Sequence, residues 1–265
     1  MTEPAKETWG AGGAYDQYVG RWSRRVAIEF LAWLDLPVGQ IWGDVGCGTG
    51  ALVERILVRT EPKSIRAIDR SSGFVREAQG RIADSLARFA VADATALPWK
   101  KESFDVAVSG LVLNFVPDAV AMMTEMVRVT RRRGKVAAYV WDYSGGMEMM
   151  RHFWDVAVDL NPQDAALDQA ERFPICQPEP LKKLFHDAGL TSLEVSAIDI
   201  PTVFRDFDDY WTPFLGKQGA APTYLASMDD GRREQIRAAL KARLRPSADG
   251  SIHLMARAWA AQGVV

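Results

Sequence analysis

The run Asp44-Val45-Gly46-Cys47-Gly48-Thr49-Gly50 puts one carboxylate and three glycines into seven residues, between an apolar stretch and a helical one. The glycines let the backbone approach a ligand without Cβ clashes. The N–H groups that open the following helix, near Thr49, are available to an electron-rich partner. A dinucleotide fingerprint, G-x-G-x-x-G, would place its third glycine at position 51, where this chain has Ala51. Alanine is tolerated there, so a nicotinamide-dependent oxidoreductase stays open on this motif alone. Asp44 discriminates more sharply: a carboxylate turned into the crevice repels a pyrophosphate and attracts a ligand bearing an ammonium or sulfonium group.

Such a loop needs a strand before it and a helix after it, and the flanking pattern supplies both. Apolar runs rich in Val and Ile alternate with helical periodicity, which predicts repeated strand–helix units around a mostly parallel sheet. A helical stripe of Val26, Ala27, Phe30, Leu31 and Leu34 ends before Pro37 and Gly39. Strands are predicted near 40–45, 65–69, 89–92, 105–109 and 135–141, with helices at 51–59, 71–83 and 117–130. Ser71 or Ser72 is the expected N-cap of the second of these helices. After Tyr143 the alternation breaks. A helix at 178–188 closing on Gly189 and two last strands, near 193–200 and 252–260, are set between two long excursions, 144–177 and 201–250. The second excursion carries a basic amphipathic helix near 232–244. Arg131, Arg132, Arg133 and Lys135 read as a basic knot at a helix C-terminus, opposing the helix dipole.

The Asp-x-Gly-x-Gly-x-Gly loop resembles motif I of the class I S-adenosylmethionine-dependent methyltransferases. Three further stations follow in that family's order. Asp69 stands 19 residues beyond Gly50 at the end of strand two, where an acid accepts from both ribose hydroxyls; Arg70 follows it. Val91-Ala92-Asp93-Ala94-Thr95 is similar to the adenine-covering segment after strand three, and Phe104-Asp105-Val106-Ala107-Val108-Ser109-Gly110-Leu111 to motif IV. Upstream, Tyr15-Asp16 and Gly20-Arg21-Trp22-Ser23 resemble the N-terminal segment of small-molecule methyltransferases of the ubiquinone/menaquinone-biosynthesis-like branch. The resemblance implies an α/β, doubly wound, Rossmann-like seven-stranded sheet, mostly parallel with an antiparallel last strand, and with helical insertions after strands five and six. It implies S-adenosyl-L-methionine as cofactor, S-adenosyl-L-homocysteine as product, and cofactor contacts from Tyr15, Arg21, Asp44, Gly46, Cys47, Gly48, Gly50, Asp69, Arg70, Asp93, Ala94, Ser109 and Gly110. Residues 1–265 are then one methyltransferase domain, with a cofactor-binding core at 15–143 and the two excursions as a substrate-side lid.

A sulfonium methyl is already activated, so such a site mainly holds its reactants in line and excludes water. Where the acceptor is a phenol, enol or protonated amine a base helps, and Tyr143, His152 and Asp142 are the candidates just after strand five, the first two foremost. Met147, Met149, Met150, Phe153 and Trp154 in one excursion, and Phe204, Phe207, Tyr210, Trp211 and Phe214 in the other, carry enough apolar area to wall a pocket for a hydrophobic or aromatic small-molecule acceptor, and equally enough to make a core. A protein that keeps the pocket for sensing or assembly is the second reading. Nucleic-acid methylation is a further one, with neither an RNA-binding appendage nor an Asn-Pro-Pro-Tyr-type motif to support it.

Composition bounds the rest. With 48% apolar and 25% charged residues in 265, the chain can bury a sizeable core, and a formal charge of -2 gives no global pull toward polyanions or membranes. Two cysteines, Cys47 and Cys176, fit a reducing compartment, and the first ten residues lack the apolar run of a secretory signal, so the cytoplasm is the expected location. The longest apolar run, 106–116, is too short to cross a bilayer. His152, His186 and His253 have no metal-ligand spacing, so no metal is expected. A monomer or homodimer without nucleic-acid partners is the expected state.

Overall fold

A computed structural model describes residues 19–216 and 219–265. The first half repeats one theme. Strand β1 (Ile41–Val45) leads into α2 (Ala51–Arg59), β2 (Ser64–Asp69) into α3 (Ser72–Arg81), and β3 (Ala87–Val91) is followed by β4 (Phe104–Gly110), α4 (Ala119–Val129) and β5 (Thr130–Trp141). Before them α1 (Arg21–Leu34) buries its stripe of Val26, Ala27, Phe30, Leu31 and Leu34, as its spacing predicts. Ser71 caps α3 by accepting from the Phe74 N–H, and Asp118 caps α4 by accepting from the Ala121 N–H.

The sheet order is β3-β2-β1-β4-β5-β7-β6, with β6 at Thr191–Phe204 and β7 at Ile252–Val264. The pairs among β1 to β5 are parallel. Strand β7 runs antiparallel: the Arg133 N–H donates to the Val265 carbonyl while the Asp142 N–H, nine residues later and just beyond β5, donates to that of Arg257. The expected seven-stranded sheet with its antiparallel last strand is therefore present. The order reverses between β1 and β4, which in open α/β sheets is where ligands bind, outside the carboxyl ends of the strands.

One sequence expectation fails in this region. Arg131, Arg132 and Arg133 do not end a helix, because α4 stops at Val129 and the three arginines lie within β5. The β4–β5 register slips between Phe104 and Val106, and Arg133 adopts φ 61° there. Such a bulge places the basic residues along a strand. Arg131 pairs with Asp105 and Lys135 with Gln262, so ordinary strand contacts rather than a helix dipole account for them. Strands β5, β6 and β7 are also longer than their apolar cores suggest, because polar and arginine-bearing ends continue the ladders.

The chain divides into two compact units. The sheet unit comprises Ser23–Val140, Ile175–Ile198 and Ala258–Val265, including α7 (Pro178–Asp187), which closes with Gly189 at φ 82°. The helical unit comprises the described residues up to Trp22, with Trp141–Pro174 and Asp199–Arg257. It holds α5 (Glu148–Leu160), α6 (Gln169–Arg172), α8 (Phe207–Trp211), α9 (Ala220–Ala226) and α10 (Asp230–Arg243), so both excursions are helical as expected.

The apolar residues of the excursions pack on one another. Phe153 stacks on Phe214 with ring centres 4.8 Å apart, Tyr210 donates to the Met149 carbonyl, and Met147, Met149, Phe153, Phe204, Tyr210 and Phe214 are fully buried. They form the core of the helical unit. Among the described residues no helix is long and apolar enough to cross a membrane.

Candidate functional site

Strand β1 ends on Asp44 and Val45, and the chain then turns through three glycines at positive φ: Gly46 at 82°, Gly48 at 52° and Gly50 at 89°. The turn is tied down on one side. The N–H groups of Gly46 and Cys47 both donate to the Ile68 carbonyl at 2.8 Å, and that of Gly48 donates to Asp69 Oδ2 at 3.0 Å. A Cβ on Gly46 would come within 2.5 Å of Val112, so the segment after β4 is packed directly on the loop. A Cβ on Gly48 would meet nothing within 4 Å. The loop is thus braced from behind and open at Gly48, the form a ligand cradle takes.

Asp44 is 1% exposed, and neither carboxylate oxygen has a hydrogen-bond partner among the described residues. Burial, with the Asp69 carboxylate as a smaller cause, pushes its pKa up to about 8. An unpaired buried carboxylate is costly in a free protein and is explained when a cationic ligand completes it. Its neighbour Cys47 is buried and its thiol pushed up by the same burial, so it is an inert lining group rather than a nucleophile.

Asp69 accepts from the N–H groups of Gly48 and Ser71. Burial outweighs these donors and raises its pKa. The carboxylate expected to meet a ribose therefore also fastens the glycine loop. Arg70, beside it, is exposed. Asp93 is exposed as well; its Oδ1 accepts from the N–H and hydroxyl of Thr95, which lowers its pKa and fixes the turn after β3, with Ala94 half-buried behind it. At the end of β4, Ser109 is buried with its hydroxyl unpartnered, and Gly110 leaves no room for a side chain because a Cβ would fall 2.5 Å from the Tyr139 hydroxyl. The sheet unit thus carries Asp44, the glycines, Cys47, Asp69, Arg70, Asp93, Ala94, Ser109 and Gly110 at the carboxyl ends of β1 to β4 and on the loops that follow.

The sequence reading missed Asn114. It lies in the short turn Leu113–Phe115, two residues beyond Val112, with its Nδ2 buried and without a partner among the described residues. An amide beside motif IV was the available signal.

Tyr15 lies outside the described residues. Arg21, Tyr143 and His152 belong to the helical unit. Arg21 pairs with Asp209 at 3.2 Å. Tyr143 is buried against Phe173, and its carbonyl accepts from Arg151. His152 Nδ1 lies 3.2 Å from Arg243 Nε, and burial, then the Arg243 charge, lowers its pKa. Arg243 can only donate, so Nδ1 is the acceptor and the proton of the neutral ring sits on Nε2. The helical unit also has an open cavity of about 740 Å³ lined by Arg151, Asp155, Asp168, Glu171 and Arg243, a charged lining ill-suited to an apolar ligand.

A family profile described as "Methyltransferase domain" matches residues 43–138, which include every station of the sheet unit. Over these residues the chain carries a methyltransferase domain of the class I S-adenosylmethionine-dependent kind. The chain is 29% identical over 187 residues to 2-methyl-6-phytyl-1,4-hydroquinone methyltransferase of Synechocystis sp., covering 69% of this chain and 57% of that one. It is 40% identical over 96 residues to demethylmenaquinone methyltransferase of Roseiflexus castenholzii, covering 36% of this chain and 40% of that one. The matched region therefore spans little more than half of the first relative and less than half of the second. In fold it is similar to phosphoethanolamine N-methyltransferase 2 of Haemonchus contortus, at TM-score 0.58 and 17% identity over 95% of this chain and 56% of that one. It is also similar to the YcgJ protein of Bacillus subtilis, at TM-score 0.58 and 15% identity over 92% and 98%. The buried Asp44 and the open face of Gly48 fit the family's cofactor, whose sulfonium and ammonium are cationic.

Proposed function

We propose that this chain transfers a methyl group from S-adenosylmethionine to a small acceptor of hydrophobic or aromatic character, releasing S-adenosylhomocysteine. The observation that carries this reading is the Asp44 carboxylate, buried without a partner at the foot of an open glycine cradle. The acceptor class is supported by the relatives that act on quinols and menaquinone precursors.

When bound, the cofactor supplies an activated methyl on a positively charged sulfur. The chain's own residues bind and orient. Asp44 balances positive charge, Gly48 presents an open backbone, and Asp69 offers its carboxylate to the ribose while holding the loop. Arg70 borders it, and Asp93 and Ala94 face the adenine. Ser109, Gly110 and Asn114 border the reacting end, Asn114 as an N–H donor. Positioning of this kind is sufficient for in-line transfer. His152 serves as a positioning residue, since its only free lone pair is engaged by Arg243, and Tyr143 remains the candidate for handling an acceptor proton.

Incubating the protein with S-adenosylmethionine and demethylmenaquinone or phytylhydroquinone analogues, and quantifying S-adenosylhomocysteine, tests the proposal. Turnover with a quinol-type acceptor is expected. Tight cofactor binding without turnover across phenol, amine, thiol and carboxylate acceptors would replace it with the sensing or assembly reading.

A further inference from the structure

The cavity of about 740 Å³ lies wholly within the helical unit, since the residues that line it fall between 151 and 171 or are Arg243. None of them belongs to the glycine cradle. Its volume falls within the range of about 300–1,000 Å³ typical of small-molecule sites. One face of α5 forms part of the lining: Arg151, Asp155, Val158 and Asp159 follow the i, i+4, i+7, i+8 spacing that aligns side chains along a helix. A second segment contributes Ala165, Ala166 and, from α6, Glu171.

Four of the lining charges are locked together. Arg151 donates from Nε to Asp155 Oδ1, from Nη1 and Nη2 to the two oxygens of Asp168, and from Nη1 also to the Tyr143 carbonyl. Arg243 donates to Asp155 Oδ2, so two arginines bridge that carboxylate. Asp168 further accepts from the Ala170 N–H as the N-cap of α6. These two arginines and two carboxylates neutralise one another. Two lining carboxylates are left over. Asp159 is 3.9 Å from Arg243 Nη1, beyond hydrogen-bond reach, and the Glu171 side chain has no partner among the described residues. Asp159 also stands in the last turn of α5, at the negative end of the helix dipole, where a carboxylate is unfavourable until a cation faces it.

The surplus charge of the lining is negative, so a cation is attracted and an anion repelled. Val158, Ala165 and Ala166 add an apolar part of the lining against which methylene groups can lie. A metal ion would leave that part unused, and among the described residues no group of three or more His, Cys, Asp and Glu side chains could hold one. We propose that this cavity binds an aliphatic diamine or polyamine, with its ammonium groups at Asp159 and Glu171 and its methylene chain on Val158, Ala165 and Ala166. The site stands independently of the methyl-transfer reading, whose stations lie in the sheet unit.

Calorimetric titration of the full chain with 1,4-diaminobutane and spermidine, beside n-butylamine and 1,4-butanediol, provides the test. The diamine is expected to bind at least tenfold more tightly than the monoamine, spermidine more tightly still, and the diol not at all. Added salt should weaken binding while keeping that order. Asp159→Asn combined with Glu171→Gln, at two exposed positions and close in shape to the parent, should cost at least tenfold in affinity. Asp230→Asn combined with Glu234→Gln removes the same charge from exposed positions outside the cavity and should leave affinity within twofold. Equal losses in the two double variants, or magnesium ions binding as tightly as the diamine, would reduce the effect to general counterion attraction and overturn the proposal. So would loss of binding in Asp44→Asn with the cavity variant unaffected, which would give the amine to the glycine cradle. Diamine binding through Asp159 and Glu171 in a protein that shows no heat with either form of the cofactor would uphold this site and remove the transferase reading alone.

Discussion

The Asp69 carboxylate accepts a hydrogen bond from the Gly48 N–H at 3.0 Å, so the residue that ends β2 fixes the loop that ends β1. Its other oxygen accepts from the Ser71 N–H at 2.8 Å, at the start of α3. One side chain thus couples two of the loops that would surround the cofactor. Asp69→Ala should lower cofactor affinity and, independently, stability, by about 1–3 kcal/mol each, because two backbone donors lose a charged acceptor. Urea unfolding without ligand and titration with S-adenosylhomocysteine separate the two effects. A loss of affinity with unchanged stability would show that the bonds to Gly48 and Ser71 contribute little.

Asp44 makes the stability of the free protein pH-dependent. Its folded pKa, about 8, lies above the ordinary value of 3.8, so between those limits the folded state holds a proton that the unfolded chain releases. Stability from this group is full below pH 4 and is lost as pH rises toward 8, with a slope approaching about 1.4 kcal/mol per pH unit. Asp44→Asn should abolish that slope and stabilise the free protein at pH 8. A cationic ligand favours the ionised form, so S-adenosylmethionine binding at pH 7 should release a proton. Calorimetry in buffers of different ionisation enthalpy reads that release, which the Asn variant should not show.

Gly46 and Gly48 are both glycines at positive φ, yet they answer to different constraints. A methyl group on Gly46 collides with Val112, while one on Gly48 enters open space. Gly46→Ala should therefore destabilise the protein by about 1–3 kcal/mol through overpacking, in addition to backbone strain of about 1–2 kcal/mol. Gly48→Ala should cost only the strain but weaken cofactor binding at least tenfold by filling the cradle. Thermal unfolding and S-adenosylhomocysteine titration of the two variants, side by side, distinguish scaffold from cradle.

The sheet and the loop after β1 were legible in the sequence because local signals agree there. Buried strands read as apolar runs, glycine spacing marks the turn, and acids fall at strand ends. Arg131–Arg133 misled because a bulged strand start and a helix end both place cations after an apolar helix; only the long-range pairing of β4 with β5 distinguishes them. The division into two units has no linker to mark it in the sequence, because β6 and β7 each contribute residues to both. Likewise, the aromatic residues of the excursions have the same composition whether they wall a pocket or fill a core, and their mutual contacts decide for the core. Asn114 escaped notice because an unsatisfied donor is a property of three-dimensional surroundings.

His152 offers a test of whether the proposed methyl transfer needs an imidazole base. Arg243 Nε donates to His152 Nδ1, and Arg243 also pairs with Asp155, so the ring is held by a cation that opposes its protonation. Its folded pKa lies below the ordinary 6.5, burial being the first cause and Arg243 the second. The unfolded chain therefore takes up a proton at a higher pH than the folded one, and stability from this group, complete above pH 6.5, is lost as pH falls through and below that value. His152→Gln keeps an oxygen for Arg243 and removes the titration, so it should flatten stability between pH 5 and 7. Removal of a general base costs about 10²–10⁴-fold in rate. If His152 only positions its neighbours, kcat for the Gln variant should stay within about tenfold of the parent and its pH profile should not move. A loss of a hundredfold or more, together with disappearance of an ionisation near neutral pH, would return the imidazole to a catalytic role.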